Sequence, residues 1–401
     1  MDAKERILKT INHEEPDKVP SFELSIDNFK ICKHFNEKYV FEGLVKSFKE
    51  TYNLCKGDTD MLTNTILSAT ETRSYIKNTL KRHLDLYQKI GIDLALIPLT
   101  GYILFPQKCF QDHFIDEYGR IFDLKRNPSD MMDIAYYRTG YFNSYNDYEQ
   151  FGPPDPKEKR REKYFKSMKK IEKQYNGEIF LIPSMWGIFE PTWQSFGFST
   201  FSKMMRDQKS IKRIFDDRGE FAVNLMEKFI QWGEDGAVLI YDDYGYKSGL
   251  LMSPRSYKKL VLPWLERICQ IANDSGVKII LHSCGDVYEI FDELVECGID
   301  AIHPIEPTTA NLNYNIFKLA KKYEELTFIG NISPQDLAGK DPSYIKDYTK
   351  KLIKELAPDG GFILSSGHSI NPAVQLENFL AMYETLNKYG KYPINRDNNL
   401  W

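Results

Sequence analysis

The sequence predicts an α/β fold, a (β/α)8 TIM barrel with an N-terminal helical segment and a long insertion after the second strand. Three observations carry that expectation. Eight short runs rich in Ile, Leu, Val and Phe recur along the 401 residues. They are nearly continuous in apolarity rather than alternating, as strands covered on both faces should be. Helical patterns separate them, and strands alternating with helices mark parallel βαβ units.

The chain opens on MDAKERILKTINHEEP, a charged amphipathic helix with no signal-peptide apolar region. Strands are expected at Val19–Leu24, Asp93–Leu99, Phe180–Trp186 and Ala237–Asp243. Four more follow at Val277–His282, Ile299–Ile305, Leu326–Asn331 and Gly361–Ser366. In the second half a helix starts at the Ser253 cap with Pro254 in its first turn and runs to Gly276. Another ends at Gly298, and a third starts after Asp341. The first half is looser. Residues 100–177 form an elaborated βα loop, with a β-hairpin in DEYGRIFDL and a solvated helix in PPDPKEKRREKYFKSMKK. The whole chain, residues 1–401, is taken as one barrel domain.

Composition narrows the function. Hydrophobic residues make up 42% and charged residues 27%, enough for a large core. A formal net charge of −4 argues against a nucleic-acid or anionic-membrane surface. No apolar run approaches the ~20 residues of a bilayer span. The six cysteines (Cys32, Cys55, Cys109, Cys269, Cys284, Cys297) are scattered without a CxxC pair. A cytoplasmic location, which keeps thiols reduced, is expected.

In such a barrel the chemistry lies at the C-terminal strand ends. The fifth strand presents His282 and Cys284 in KIILHSCGDVYEI, two residues apart and therefore on one face, while Ser283 turns away. Imidazole and thiolate together begin a zinc site. His368 stands after the eighth strand, Asp242 and Asp243 end the fourth, and Glu190 follows the third. The sixth offers His303 and Glu306, and the seventh Asn331. His282, Cys284, His368 and Glu306 are the expected metal ligands, and Asp243 and Glu190 the catalytic carboxylates. Trp186, Asp242, Tyr246 and Asn331 are expected to contact substrate. His303 precedes proline and is left outside the site as a backbone-bonded histidine. The bland alternatives are a hydrogen-bonded histidine beside a buried thiol, an acidic pair capping a turn, and aromatics in ordinary packing.

Several segments then carry a family resemblance across nearly the whole chain: KERILKTINHEEPDKVP, DEYGRIFD, YDDYGYKSGLLMSPRSYKKLVLPW, LHSCGDVYEIFDELVECGIDAIHPI, FIGNISPQDL and GGFILSSGHSINPAVQLENFLAMYETLNKYGKYP. The sequence resembles the uroporphyrinogen decarboxylase superfamily, and within it the cobalamin-dependent methyltransferases. The resemblance implies a TIM barrel. Decarboxylases of this family use an arginine-rich segment after the first strand to hold substrate carboxylates, where this chain has SFELSIDNFK, without arginine. Asp243 stands where they carry a substrate-binding serine, and an anion there would repel a polycarboxylate. The methyltransferases bind zinc through an HxC pair and a third cysteine; His282 and Cys284 match the pair, and His368 stands at the third position.

The resemblance therefore implies Zn2+ at the site and methylcobalamin or cob(I)alamin carried by a partner corrinoid protein. The expected reaction is methyl transfer from a small molecule, for example a methoxylated aromatic undergoing O-demethylation. A homodimer is left open as a further partner. The competing expectations are a metal-free decarboxylase acting on a tetrapyrrole through Asp243 and His368, and a non-catalytic ligand-binding barrel.

Overall fold

The computed structural model describes residues 1–70, 73–127 and 132–394. Eight parallel strands close into a barrel. In chain order they are β1 (Ser21–Phe22), β2 (Leu94–Pro98), β3 (Phe180–Trp186), β4 (Ala237–Tyr241), β5 (Lys278–His282), β6 (Ala301–His303), β7 (Thr327–Ile332) and β8 (Phe362–Ser366). Each expected run overlaps one of them, and only β7 reaches past its run, by one residue to Ile332. The first is two residues where six were expected, pairing through Phe22 with β2 and through Ser21 and Phe22 with β8.

Two cores flank the sheet. Inward side chains, among them Phe22, Leu96, Ile182, Leu239, Ile280, Ile329 and Ile363, fill the barrel together with Ala3, Ile7 and Ile11 of α1 (Ala3–Ile11). The amphipathic N-terminal helix is thus the plug of the barrel's lower end. Arg6 anchors it, with one guanidinium arm on buried Asp93 at 2.7 Å and the other face on Asp17. Outward side chains pack beneath the surrounding helices in the larger core. The helix expected from Ser253 to Gly276 is two helices, Pro254–Leu260 and Leu262–Asp274. Pro263 explains the break, because its ring cannot continue the preceding turn's hydrogen bonding.

The insertion after β2 is built on a four-stranded antiparallel sheet of Pro106–Cys109, His113–Asp116, Arg120–Arg126 and Asp133–Gly140. The DEYGRIFDL hairpin joins its middle strands. Phe114, Phe122 and Leu124 pack against Val45, Phe48, Leu62 and Ile66 from helices Leu44–Leu54 and Thr59–Thr70, giving a third core. The charged helix Lys159–Glu172 is only partly solvated, which corrects the expectation. Arg161 is fully buried against Glu117, and its Nη1 also donates to the Leu99 carbonyl at 2.6 Å. A guanidinium buried beside a carboxylate ties the insertion to the end of β2. No described helix is long and apolar enough to cross a membrane.

Candidate metal centre and active site

Parallel register sets the site. Trp186 pairs with Tyr241, Tyr241 with His282, and His282 with His303 across β3, β4, β5 and β6. Paired residues of neighbouring strands share a face, so four rings form one layer near the barrel's C-terminal end. Successive ring centroids lie 5.4, 5.7 and 4.9 Å apart, and Phe22 of β1 continues the layer 5.3 Å from His303.

Just above it the HSC triplet leaves β5. His282 Nε2 is 3.5 Å from Cys284 Sγ and 3.6 Å from Asp243 Oδ1. Ligand atoms of Asp243, His282 and Cys284 all lie within 4.8 Å of one another. Donors around a tetrahedral zinc, with bonds of about 2.0–2.3 Å, sit roughly 3.3–3.6 Å apart. The two distances from His282 Nε2 match that spacing, and the nitrogen, sulfur and oxygen set suits a zinc-like cation in its chemistry.

The backbone holds this arrangement. The Cys284 N–H donates to Asp243 Oδ1 at 2.7 Å, joining the ends of β4 and β5. Ser283 is fully buried on the other side, where its Oγ accepts from the Tyr244 N–H at 3.0 Å. Gly285 turns the chain away at φ +79°, and a Cβ there would lie 2.3 Å from the Gly245 carbonyl carbon. Only glycine fits that crossing of two backbones.

Burial sets the charges. It pushes the His282 imidazole down to about 3, assisted by His368. It drives the Cys284 thiol well above its ordinary range, with Asp243, Glu306 and Glu190 adding to the rise. Burial also raises the Asp243 carboxyl. A cation entering this cluster would reverse that balance and release protons.

The other expected residues divide. Asp243, expected as a catalytic carboxylate and, beside Glu190 and Glu306, as an alternative carboxylate ligand, sits in the ligand cluster. Among the described residues, His368 and Glu306 lie outside that group. The exposed His368 ring is 6.4 Å from His282, and its Nδ1 accepts from the Ser369 N–H at 2.8 Å. Glu306 Oε1 accepts from Thr308 Oγ1 at 2.5 Å. Glu190 is buried beside the cluster, its Oε2 accepting from the Asp243 N–H at 3.3 Å and its Oε1 from Gln194 Nε2 at 2.7 Å. Burial and then Asp243 hold its carboxyl well above the ordinary range. The Asp242 carboxylate is spent on the N–H groups of Ile188, Phe189 and Glu190, at 2.6–3.0 Å. It shapes the turn that delivers Glu190. Asn331 is likewise engaged, donating to the Ile305 carbonyl at 2.8 Å and accepting from the Tyr348 hydroxyl at 3.0 Å. Tyr246 is 63% exposed on a rim hairpin.

His303, set aside on the sequence, stands beside the cluster, and two further residues escaped the sequence reading. His303 contacts His282 directly, its Nδ1 2.7 Å from the His282 Nδ1. Arg120, from the insertion hairpin, lies over the Trp186 ring at 4.1 Å and donates to Gln194 Oε1 at 3.0 Å. Glu23, just past β1, is fully buried among Ser366, Tyr383 and Tyr87. Only His303 left a usable signal, as a histidine at a strand end like His282.

Residues 133–389 match the family described as Uroporphyrinogen decarboxylase (URO-D). The Methylcobamide:CoM methyltransferase MtbA of Methanosarcina acetivorans is 21% identical over 268 residues, covering 67% of this chain and 73% of that protein. The Uroporphyrinogen decarboxylase of Geotalea uraniireducens is 26% identical over 197 residues, 46% of this chain and 54% of that one. A solved methyltransferase from Methanosarcina mazei shares the fold with a TM-score of 0.64 at 17% identity, covering 97% of this chain and 99% of its own. With the closed barrel and a family match over more than half its length, this chain belongs to the uroporphyrinogen decarboxylase family.

Proposed function

We propose that the protein moves a methyl group between a methylated small molecule and a corrinoid on a separate carrier protein, using zinc held by Asp243, His282 and Cys284. The observation that supports this reading is the cluster itself: imidazole, thiol and carboxylate at donor–donor spacing on the barrel's functional end. The similarity to MtbA points the same way. A metal-free decarboxylase would have no use for a thiol in that place.

Bound there, zinc would supply Lewis acidity toward the substrate's ether oxygen, and the corrinoid would supply the methyl-accepting centre. The chain's own residues do the rest. Trp186 and Tyr241 wall the approach to His282 with flat rings, which suits a methoxylated aromatic. Arg120 braces the Trp186 ring from behind. Glu190, buried against the Asp243 N–H at the edge of the cluster, is the residue placed to hand a proton to the departing oxygen. His368, with Nδ1 engaged by its own loop, has Nε2 left for a fourth ligand position or for substrate. A cytoplasmic location, where the thiol stays reduced, suits this chemistry.

Metal analysis tests the reading. Wild type supplied with zinc and freed of excess should keep about one ion per chain. Cys284→Ala, His282→Ala and Asp243→Ala should each lose it. Cob(I)alamin should then be methylated by methoxylated aromatics in the presence of wild type alone. A wild type that retains no metal would transfer the argument to the tetrapyrrole decarboxylase alternative.

A further inference from the structure

We propose that His303 is a positioning residue for His282: it fixes the His282 tautomer so that the bare Nε2 lone pair points at Cys284 and Asp243. The inference rests on the proposed metal site for its purpose, but its geometry stands independently.

His303 is fully buried at the end of β6, directly opposite His282 in the strand register. The two rings stack, 28° apart in plane and 4.9 Å between centroids. The His303 ring has three polar neighbours at its nitrogens, two of them close. Its Nε2 lies 3.0 Å from the Ser366 carbonyl oxygen, and its Nδ1 lies 2.7 Å from the His282 Nδ1. Phe22 stands edge-on to the ring at 5.3 Å and limits its rotation.

Counting protons assigns the chain. A carbonyl oxygen can only accept, so His303 Nε2 must carry a hydrogen. Ser365 Oγ, 3.4 Å from that nitrogen, donates to the Ser366 carbonyl at 2.9 Å and leaves the assignment unchanged. Among the described residues no carboxylate hydrogen-bonds the His303 ring, so at full burial the neutral imidazole is favoured. A neutral ring protonated on Nε2 has a bare Nδ1, which must accept. The hydrogen between the rings therefore belongs to His282 Nδ1. That leaves His282 Nε2 unprotonated, facing Sγ at 3.5 Å and the Asp243 carboxylate at 3.6 Å. A metal-ligating imidazole needs its other nitrogen to donate to such a partner, which sets both tautomer and ring angle. Here the partner is a second histidine anchored on the main chain of β8.

The test is made on the full chain. Long-range proton–nitrogen NMR of metal-free, histidine-labelled protein reads the tautomer directly. Wild type should show His282 protonated on Nδ1 and His303 on Nε2. In His303→Leu the acceptor is gone, and His282 should shift toward protonation on Nε2. Zinc affinity, measured by chelator competition, should fall roughly 10- to 100-fold. His303→Asn places an acceptor oxygen near the former Nδ1 and should recover most of that loss. A wild-type His282 protonated on Nε2 would overturn the proposal. So would unchanged zinc affinity in a folded His303→Leu, or no recovery in His303→Asn. Should wild type bind no zinc, the proposed function fails, while the tautomer measurement still decides the positioning role.

Discussion

Glu23 offers the sharpest quantitative test of how this barrel is held together. Its carboxyl is fully buried, and burial pushes it up from 4.5 to about 8. The hydrogen bonds from Ser366 and Tyr383 favour the ionised form, and burial outweighs them. The Ser366 hydroxyl contacts both Glu23 Oε2 and the His368 carbonyl, yet has one hydrogen to give. With the carboxyl neutral, its O–H can donate to Ser366 Oγ and leave the hydroxyl hydrogen for the carbonyl; with it ionised, both acceptors share that one hydrogen. Tyr383 donates to the other carboxyl oxygen at 3.2 Å. Between the unfolded value near 4.5 and the folded value near 8, the unfolded chain has released this proton while the folded chain keeps it. Stability then falls as pH rises, by about 1.4 kcal/mol per pH unit for this group. Glu23→Gln keeps the size and the donor but cannot ionise. From pH 5 to pH 7 wild type should lose about 2–3 kcal/mol relative to the variant, all other titrations being shared. Urea unfolding of both proteins at several pH values, with chelator present, measures that difference. A gap between them that stays constant from pH 5 to pH 7 would refute the buried neutral acid.

Other expectations follow from single contacts. Arg161→Met should destabilise by about 3–5 kcal/mol in urea unfolding, because Glu117 would remain buried without its cation. Asp242→Ala should cost about 2–4 kcal/mol, since three N–H groups lose their acceptor, and zinc retention should weaken as the Glu190 turn relaxes. Gly285→Ala should remove zinc binding and lower stability by more than about 1 kcal/mol, because its Cβ has no room against Gly245. Trp186→Ala should raise KM for an aromatic methyl donor while zinc content stays at the wild-type level, measured by steady-state kinetics beside metal analysis.

The eight strands were legible because each is a local apolar run, and barrel interiors demand little more than branched apolar side chains at alternate positions. The HxC pair was legible for a similar reason: strand periodicity alone puts His282 and Cys284 on one face. Elsewhere the local pattern misled. KEKRREK reads as solvated, yet Arg161 is buried because Glu117, 44 positions earlier, waits inside to meet it. Asp242 looks like half of a functional acidic pair, but its carboxylate is consumed by the turn before Phe189. Asn331 ends a strand facing the site side of the sequence pattern, yet its amide bridges Ile305 and Tyr348.

What the sequence by itself determined is the barrel, its functional end and two of the three clustered side chains that the proposed metal site uses, since these depend on spacing of a few residues. Closure and register decided the remainder. Pairing β4 beside β5 brought Asp243 to His282, where His368 had been expected as the third ligand. Pairing β6 beside β5 set His303 against His282, turning a histidine that local reasoning set aside into a neighbour of the site. Such partners are 39 and 21 residues from His282 along the chain. Contacts of 3.6 and 2.7 Å between them and His282 arise only once parallel strands have chosen their neighbours and their stagger, and no local pattern encodes that choice.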